Sequence, residues 1–130
     1  IDVDVEVLTK KERIARAKAG DFEIVRYAWG PDYADPMTYL EMFHSKAKDL
    51  NFAKYADPKY DELVDLAKVN QDNKTRMDAM KQAEKLLSDN FTYSALYYEV
   101  AAYLVNPKLK GVVIRSVGDS IDFYNASIGK

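Results

Sequence analysis

The sequence has no cysteine, which excludes disulfides and thiol chemistry but does not fix the compartment, since many exported proteins also lack it. Histidine and tryptophan occur once each, as His44 and Trp29. No apolar run approaches the roughly 20 residues of a membrane-spanning helix. The net charge is −2 with both signs interspersed, so the sequence lacks the basic patch of a typical nucleic-acid-binding protein.

The composition is that of a soluble globular protein, with 48% hydrophobic and 31% charged residues. A length of 130 residues suits one domain or part of one. The chain begins at Ile1 inside the alternating segment IDVDVEVL. Because a domain seldom starts within its own sheet, we expect a segment of a longer protein whose N-terminal part is missing.

The first thirty residues predict a βαβ unit. Residues 1–8 alternate apolar and acidic side chains, which is typical of a strand with one solvated face. Thr9 and Glu12 form a capping box that begins a helix, and Gly20 supplies its left-handed end. Residues 22–29 form the next apolar strand. Tight connections of this kind predict two parallel strands.

Helices are predicted over the middle of the chain and strands over its end. We expect helices at 37–47, from Asp57-Pro58 to about Val69, and at 74–89. The apolar segment 94–105 is strand-like, and 112–117 predicts a short strand. The predicted apolar helix faces consist of Tyr60, Leu63, Val64 and Ala67, and of Met77, Met80, Ala83 and Leu87.

The segment WGPDYADP, residues 29–36, is the strongest candidate for a site. Its two prolines prevent a continuing helix or central strand, and it lies just past the end of an apolar strand, where open α/β sheets bind ligands. Trp29 offers a flat apolar wall and Asp32 a negative charge, which together suit a ligand with an ammonium group. The alternative is structural, with Asp32 capping a turn and Trp29 in the core.

Arg26 lies three residues before Trp29 in the same predicted strand. A charged side chain in an apolar strand is costly unless it is paired. Two interpretations remain open at this point. The guanidinium either faces the cleft and binds a carboxylate of the ligand, or it forms a salt bridge within the protein.

Enzymatic and metal-binding alternatives have weaker support. Asp32 and Asp35 would serve as the paired carboxylates of a small hydrolase, but the sequence shows only that they are close. Glu41 and His44 supply two candidate metal ligands, which do not make a site. No glycine-rich phosphate loop, serine-hydrolase elbow or zinc-protease motif is present.

Four segments in order resemble one family. They are KAGDFEIVRYAWGPDYADP, NFAKYADPKYDELVDLA, MKQAEKLLSDN and ALYYEVAAYLVNPKLKGV. Together they resemble the C-terminal part of the solute-binding proteins of bacterial oligopeptide and dipeptide ABC transporters, also called family 5. The resemblance extends from about Val3 to about Ile128.

The resemblance implies an α/β fold, as a fragment of a two-lobe periplasmic-binding-protein type II fold. Residues 1–92 would belong to the C-terminal ligand-binding lobe, and 93–130 would cross the hinge and pack with the N-terminal lobe. Such proteins are not enzymes and need no cofactor. They hold a peptide outside the cytoplasm, in the periplasm or as a surface lipoprotein, and deliver it to permease subunits. Neither nucleic acid nor membrane contact, apart from a possible N-terminal lipid anchor, is implied.

The resemblance also implies roles for individual residues. Asp32 would anchor the peptide α-amino group, Trp29 would line the cleft, and Arg26 would meet the carboxylate of short peptides. The strand backbone would pair with the peptide, and a downstream loop would approach it. The implied ligand-binding residues are Asp32, Trp29, Arg26, Ala28, Gly30, Asn51 and Phe52.

Other ligands stay open, because some family members bind nickel chelates, haem or oligosaccharides. An interaction fragment without activity of its own is a further alternative.

Overall fold

The computed structural model describes residues 2–118 and 121–129. Four residues lie outside this described part, namely 1, 119, 120 and 130. Residue 1 belongs to the predicted first strand, and the other three belong to the segment 93–130. The described elements are four α-helices, one 3₁₀ turn and four two-residue strands. They are α1 (Lys10–Ala19), α2 (Met37–Leu40), the 3₁₀ turn (Glu41–Phe43), α3 (Pro58–Val69), α4 (Asn73–Asp89), β1 (Leu109–Lys110), β2 (Val113–Ile114), β3 (Ile121–Asp122) and β4 (Ser127–Ile128).

Helix α1 begins and ends as the sequence predicts. The Thr9 side chain accepts from the backbone N–H of Glu12, and the Glu12 carboxylate accepts from the backbone N–H of Thr9. Gly20 ends the helix with φ +78°, a left-handed conformation that only glycine adopts without strain. Both termini are therefore fixed by local chemistry.

The hydrophobic core lies between α3, α4 and α2. Six of the eight residues on the two predicted helix faces are buried in it, and Leu63 and Met77 are partly buried. The buried members are Met37, Leu40, Tyr60, Val64, Ala67, Ala79, Met80, Ala83 and Leu87. The Tyr60 hydroxyl donates to the backbone carbonyl of Leu40 at 2.6 Å, so the one polar atom of this buried ring is satisfied. Burial is the main cause that raises the pKa of Tyr60 above its ordinary value.

An aspartate caps each of the helices α3 and α4, and the sequence predicted the first of these two caps. Asp57 caps α3 by accepting from the backbone N–H groups of Lys59 and Tyr60, as predicted from Asp57-Pro58. Asp72 caps α4 through the backbone N–H of Thr75.

The predicted helix over 37–47 is shorter than expected. Regular α-helix stops at Leu40, a single 3₁₀ turn follows, and His44 takes an extended conformation with ψ 137°. Two contacts favour this ending. The Ser45 backbone N–H and hydroxyl both donate to the Asp61 carboxylate, and Asn51 donates to backbone carbonyls at the end of the turn.

The predicted parallel pairing of residues 1–8 with 22–29 is wrong for the described residues. Neither segment forms a ladder, and 94–105 forms none either. A strand exists only where a neighbouring backbone accepts and donates hydrogen bonds, and the described chain places no such neighbour beside these segments. Most of their apolar side chains are exposed accordingly, with Val5 at 74% and Ile24 at 88%.

The last part of the chain forms two short antiparallel ladders. Strand β1 pairs with β4, and β2 pairs with β3. The predicted strand 112–117 is reduced to Val113–Ile114. None of the described residues after position 90 is buried, so this part adds nothing to the core.

Candidate functional site

An open groove of about 530 Å³ lies at the segment singled out by the sequence. Its volume is within the range of small-ligand clefts. One wall is the backbone and side chains of residues 27–32, and the other is the first turns of α1. The lining residues are Lys10, Arg13, Ile14, Tyr27, Ala28, Trp29, Gly30, Pro31, Asp32 and Gly118. Four of the seven predicted site residues therefore meet in one concavity.

Aromatic rings form the apolar part of this wall. Tyr27 stacks on Trp29 with ring centroids 6.4 Å apart, and Phe52 meets the Tyr27 ring edge-on at 5.1 Å. Trp29 is half-buried, and its indole Nε1 is shielded from solvent without a hydrogen-bond partner among the described residues. Phe52 supports the groove through Tyr27 and is not itself among the lining residues.

Asp32 is one of the residues that line the groove. The residue is exposed, and its side chain forms no ion pair or hydrogen bond within the described part of the chain. Its backbone N–H donates to the buried Thr38 hydroxyl at 3.1 Å, which fixes the main chain while leaving the carboxylate open. A charge that is positioned but unpaired is what a cationic ligand group requires.

Asp35 has a different role from Asp32. Its carboxylate receives both terminal nitrogens of Arg76, each at 2.7 Å, and accepts the backbone N–H of Met37. The arginine hydrogen bonds are the main cause that holds the pKa of Asp35 below its ordinary value. A hydrolytic pair needs one carboxyl group with a raised pKa. The arrangement around Asp35 therefore opposes the Asp32/Asp35 hydrolase alternative.

Tyr33 adds a third connection between the segment 29–36 and the helical part of the chain. Its hydroxyl donates to Glu41 at 2.7 Å. Burial, followed by this hydrogen bond to a carboxylate, raises the pKa of Tyr33 to about 12. Hydrogen bonds of Asp32, Tyr33 and Asp35 therefore hold the loop in place.

Arg26 lies outside the groove. Its guanidinium bonds to Glu99 at 3.1 Å and to the Tyr97 hydroxyl, and it stands 5.6 Å from the centre of the Tyr97 ring. This is the salt-bridged arrangement that the sequence left open. The sequence contained an indication of this arrangement. In an extended segment, side chains three positions apart lie on opposite faces, so Arg26 points away from the side of Trp29. The ligand role implied for Arg26 stays a prediction.

Asn51 is also placed away from the groove. Its buried side chain donates to the carbonyl of Tyr55 at 2.7 Å and accepts from the Tyr55 N–H at 3.0 Å, which closes the loop onto itself. It borders a separate cavity of about 260 Å³ with Ser45, Lys48, Lys54, Tyr55 and Ala56. Its predicted contact with a ligand is untested.

Two basic groove residues were missed at the sequence level. Lys10 and Arg13 lie three residues apart on α1, with Ile14 beside them, so helical periodicity places all three on one face. Arg13 donates to the backbone carbonyl of Arg26 at 3.0 Å and lies 5.7 Å from the centre of the Tyr27 ring. The i, i+3 spacing was the available signal, but nothing local indicated that α1 faces the strand-end loop.

The metal-site alternative finds no support. Glu41 contacts Tyr33 and Lys68, whereas the buried His44 lies 3.3 Å from Asp65 and 3.6 Å from Asp61. Among residues 2–118 and 121–129, no group of three or more metal-ligating side chains is placed to hold an ion. None of the described helices combines the length and apolar character that crossing a membrane requires.

Comparison with known proteins gives a consistent group of relatives. The chain is 37% identical over 101 residues to the dipeptide-binding protein DppE of Bacillus subtilis. This match covers 78% of the chain and 18% of DppE. It is 31% identical over 130 residues to the periplasmic oligopeptide-binding protein OppA of Haemophilus influenzae, covering all of the chain and 24% of OppA. No family model matches.

Solved structures give the same result for the backbone. The substrate-binding domain of an oligopeptide ABC transporter from Bacillus anthracis superimposes with a TM-score of 0.81 at 32% identity, covering 96% of the chain and 24% of that domain. The pheromone receptor PrgZ, a structure described together with its mode of peptide binding, gives a TM-score of 0.80 at 28% identity, covering 95% of the chain and 23% of PrgZ. The chain thus spans a quarter or less of the proteins it matches. Its path, including the unpaired segments, is that of a mixed α/β fragment of such domains.

Proposed function

We propose that this chain, which belongs to the oligopeptide- and dipeptide-binding proteins of ABC transporters, forms one wall of a cleft that binds peptides for import. The observation that carries the proposal is the Asp32 carboxylate. Asp32 lines the same groove as Trp29, and its carboxylate has no cationic partner within the described residues. The likeness to proteins named for peptide binding supports the same conclusion.

The chemistry of binding follows from the groove wall. The peptide ammonium group pairs with Asp32, and the indole and the Tyr27 ring cover the apolar part of the first side chain. Extended backbone next to the groove at Ala28 and Gly30 offers main-chain groups for sequence-independent pairing. A charge pair at 4 Å is worth about 1 kcal/mol in water and about 4 kcal/mol where the effective dielectric is near 20. Covering the groove with a second lobe therefore strengthens the anchor.

The division into lobes is part of the proposal. Residues 1–92 form part of the ligand-binding lobe, and 93–130 cross the hinge towards the other lobe. The burial pattern supports this, because the core cluster lies within residues 37–87 and none of the described residues after 90 is buried. The protein acts outside the cytoplasm and hands its ligand to permease subunits, in line with a relative named as periplasmic.

Binding without catalysis completes the proposal. Among the described residues that line the groove, Asp32 is the only carboxylate, and the nearby Asp35 is occupied by Arg76 and Met37. A lone carboxylate beside an indole suits a fixed counter-charge. This leaves the groove without the acid–base pair that peptide hydrolysis needs.

The test is isothermal titration of the full-length protein with trialanine and N-acetyl-trialanine. Asp32→Asn removes the charge at constant shape and is expected to cost about 2–4 kcal/mol of affinity for the free-amine peptide and little for the acetylated one. Asp49→Asn, an exposed carboxylate that does not line the groove, is the matched control. An equal loss for both peptides, or no loss for either, would rule out the amine anchor.

A further inference from the structure

Residues 51–55 form a tight loop that the buried side chain of Asn51 holds closed. Its amide oxygen accepts from the backbone N–H of Tyr55 at 3.0 Å, and its amide nitrogen donates to the Tyr55 carbonyl at 2.7 Å. The backbone N–H of Lys54 donates to the Asn51 carbonyl at 3.0 Å. Because both main-chain groups of Tyr55 return to Asn51, the chain has to turn at Lys54.

Lys54 makes this turn in a left-handed backbone conformation, with φ +51°. Residues other than glycine, asparagine and aspartate seldom adopt this conformation, and it persists only where the surrounding structure imposes it. Glycine would fit the same backbone without strain. A lysine at a strained position of this kind implies a compensating contact of its side chain.

The side chain of Lys54 lies against the C-terminal end of α1. A Cβ added at Gly20 would stand 2.6 Å from the Lys54 Nζ and 3.1 Å from its Cε, so the ammonium group occupies the space beside the glycine. The C-terminus of a helix is the negative end of its dipole, where a cation is stabilising. Lys54 thus joins the loop 51–55 to the end of α1, and Gly20 leaves room for it.

Helix α1 itself lies outside the hydrophobic core. The core is formed between α2, α3 and α4, and α1 packs extensively against no described helix or strand. Its one buried residue is Ala17, whose methyl group contributes little packing area. Near the first turns, Arg13 donates to the backbone carbonyl of Arg26 at 3.0 Å, and Lys54 supplies a contact at the opposite end. These two contacts therefore help to set the direction of the helix that forms one wall of the groove.

The same loop supports the opposite wall of the groove. Phe52 meets the Tyr27 ring edge-on at 5.1 Å. That ring in turn stacks on Trp29, with the centroids 6.4 Å apart. The loop 51–55 therefore contacts the aromatic wall through Phe52 and the α1 wall through Lys54. Because internal hydrogen bonds keep the loop closed, it sets the distance between the two walls.

Building on the proposed function, we propose that Lys54 is a positioning residue that sets the width of the peptide groove. Its ammonium group holds the end of α1 to the loop that supports the aromatic wall, and Lys54 does not line the groove itself. Loss of this contact lets the α1 wall move relative to Trp29 and Asp32. A peptide whose amino group is held by Asp32 then loses part of its contact with the opposite wall, so binding weakens although no ligand contact has been removed.

The experiment measures trialanine binding to the full-length protein by isothermal titration. Lys54→Gln removes the ammonium group and is expected to weaken binding about threefold. Lys54→Arg keeps a cation and is expected to bind as tightly as the unaltered protein. Lys48→Gln is the matched control, because Lys48 is an exposed lysine that borders the same 260 Å³ cavity as Lys54 but contacts neither Gly20 nor the groove. It is expected to change nothing.

Two further variants isolate the contact and separate it from stability. In Gly20→Ala the added Cβ displaces the ammonium group, so this change is expected to weaken binding about threefold in the unaltered protein and to have no further effect in the Lys54→Gln protein. Lys54→Gly removes the strained side chain and is expected to weaken binding without lowering the urea midpoint. A residue needed only for folding would lower the midpoint as well.

The outcomes separate this inference from the proposed function. If trialanine does not bind the unaltered protein, the proposed function fails. If trialanine binds but Lys54→Gln leaves the affinity unchanged, or Lys54→Arg does not restore it, peptide binding stands and the positioning role is refuted. Equal losses in Lys48→Gln, additive losses of Gly20→Ala and Lys54→Gln, or a parallel fall of midpoint and affinity in Lys54→Gly would each overturn it too.

Discussion

Replacing Asp35 by asparagine is expected to destabilise the protein by about 1–2 kcal/mol at neutral pH. The change keeps an acceptor for the Met37 N–H but removes the charge that binds both terminal nitrogens of Arg76. Hydrogen bonds to charged groups contribute about 1.5–3 kcal/mol. The two side chains are 25% and 24% exposed, so solvent screening lowers that figure.

The pH dependence of this loss has a definite sign. The folded-state pKa of Asp35 lies below its ordinary 3.8, mainly because of the Arg76 hydrogen bonds. The ionised pair therefore stabilises the folded state above pH 3.8, and its contribution disappears as the pH falls through the lower folded-state pKa. Asparagine does not titrate, so the gap between the two proteins is expected to close only on the acidic side.

Urea unfolding at pH 7, 5 and 3, followed by far-ultraviolet circular dichroism, measures the gap. Asp89→Asn is the matched control, because Asp89 pairs with Lys85 one turn away on exposed α4 surface. The control is expected to cost no more than about 0.5 kcal/mol. An Asp35→Asn loss as small as the control, or one that persists unchanged at the lowest pH, would refute the reasoning.

Two further substitutions, Tyr60→Phe and Gly20→Ala, test the framework that supports the groove, with Gly30→Ala as a control. Tyr60→Phe leaves the buried Leu40 carbonyl without its 2.6 Å donor and is expected to cost about 1–1.5 kcal/mol in urea unfolding, whereas a neutral result would contradict the packing of α2 on α3. Gly20→Ala places a side chain at φ +78° and is expected to lower the free energy of unfolding by about 1 kcal/mol. At Gly30 an added Cβ meets nothing within 4 Å, so Gly30→Ala is expected to leave the melting temperature unchanged. Equal losses of stability in the two variants would argue against the left-handed cap.

Local signals predicted local structure well. The Thr9–Glu12 capping box, the Gly20 stop and the Asp57-Pro58 start each involve residues within one turn of each other, so the sequence contains all the information they need. The apolar stripes of α3 and α4 predicted the core for the same reason. Helix periodicity is fixed by the backbone and does not depend on distant partners.

Features that depend on distant residues could not be predicted. Asp35 finds Arg76 41 positions along the chain, and no pattern near either residue indicates that pairing. Strand pairing could not be predicted for the same reason, because alternation indicates an extended segment but not the segment with which it pairs. The groove is an intermediate case. Trp29 and Asp32 were found from their position after an apolar strand, whereas the cations on α1 needed the fold to bring them opposite.

Trp29 is the sole indole in 130 residues, and it lies in the groove wall against Tyr27. Its fluorescence consequently reports on the groove and on no other part of this chain. The chain therefore contains a built-in optical probe of whatever enters beside Asp32.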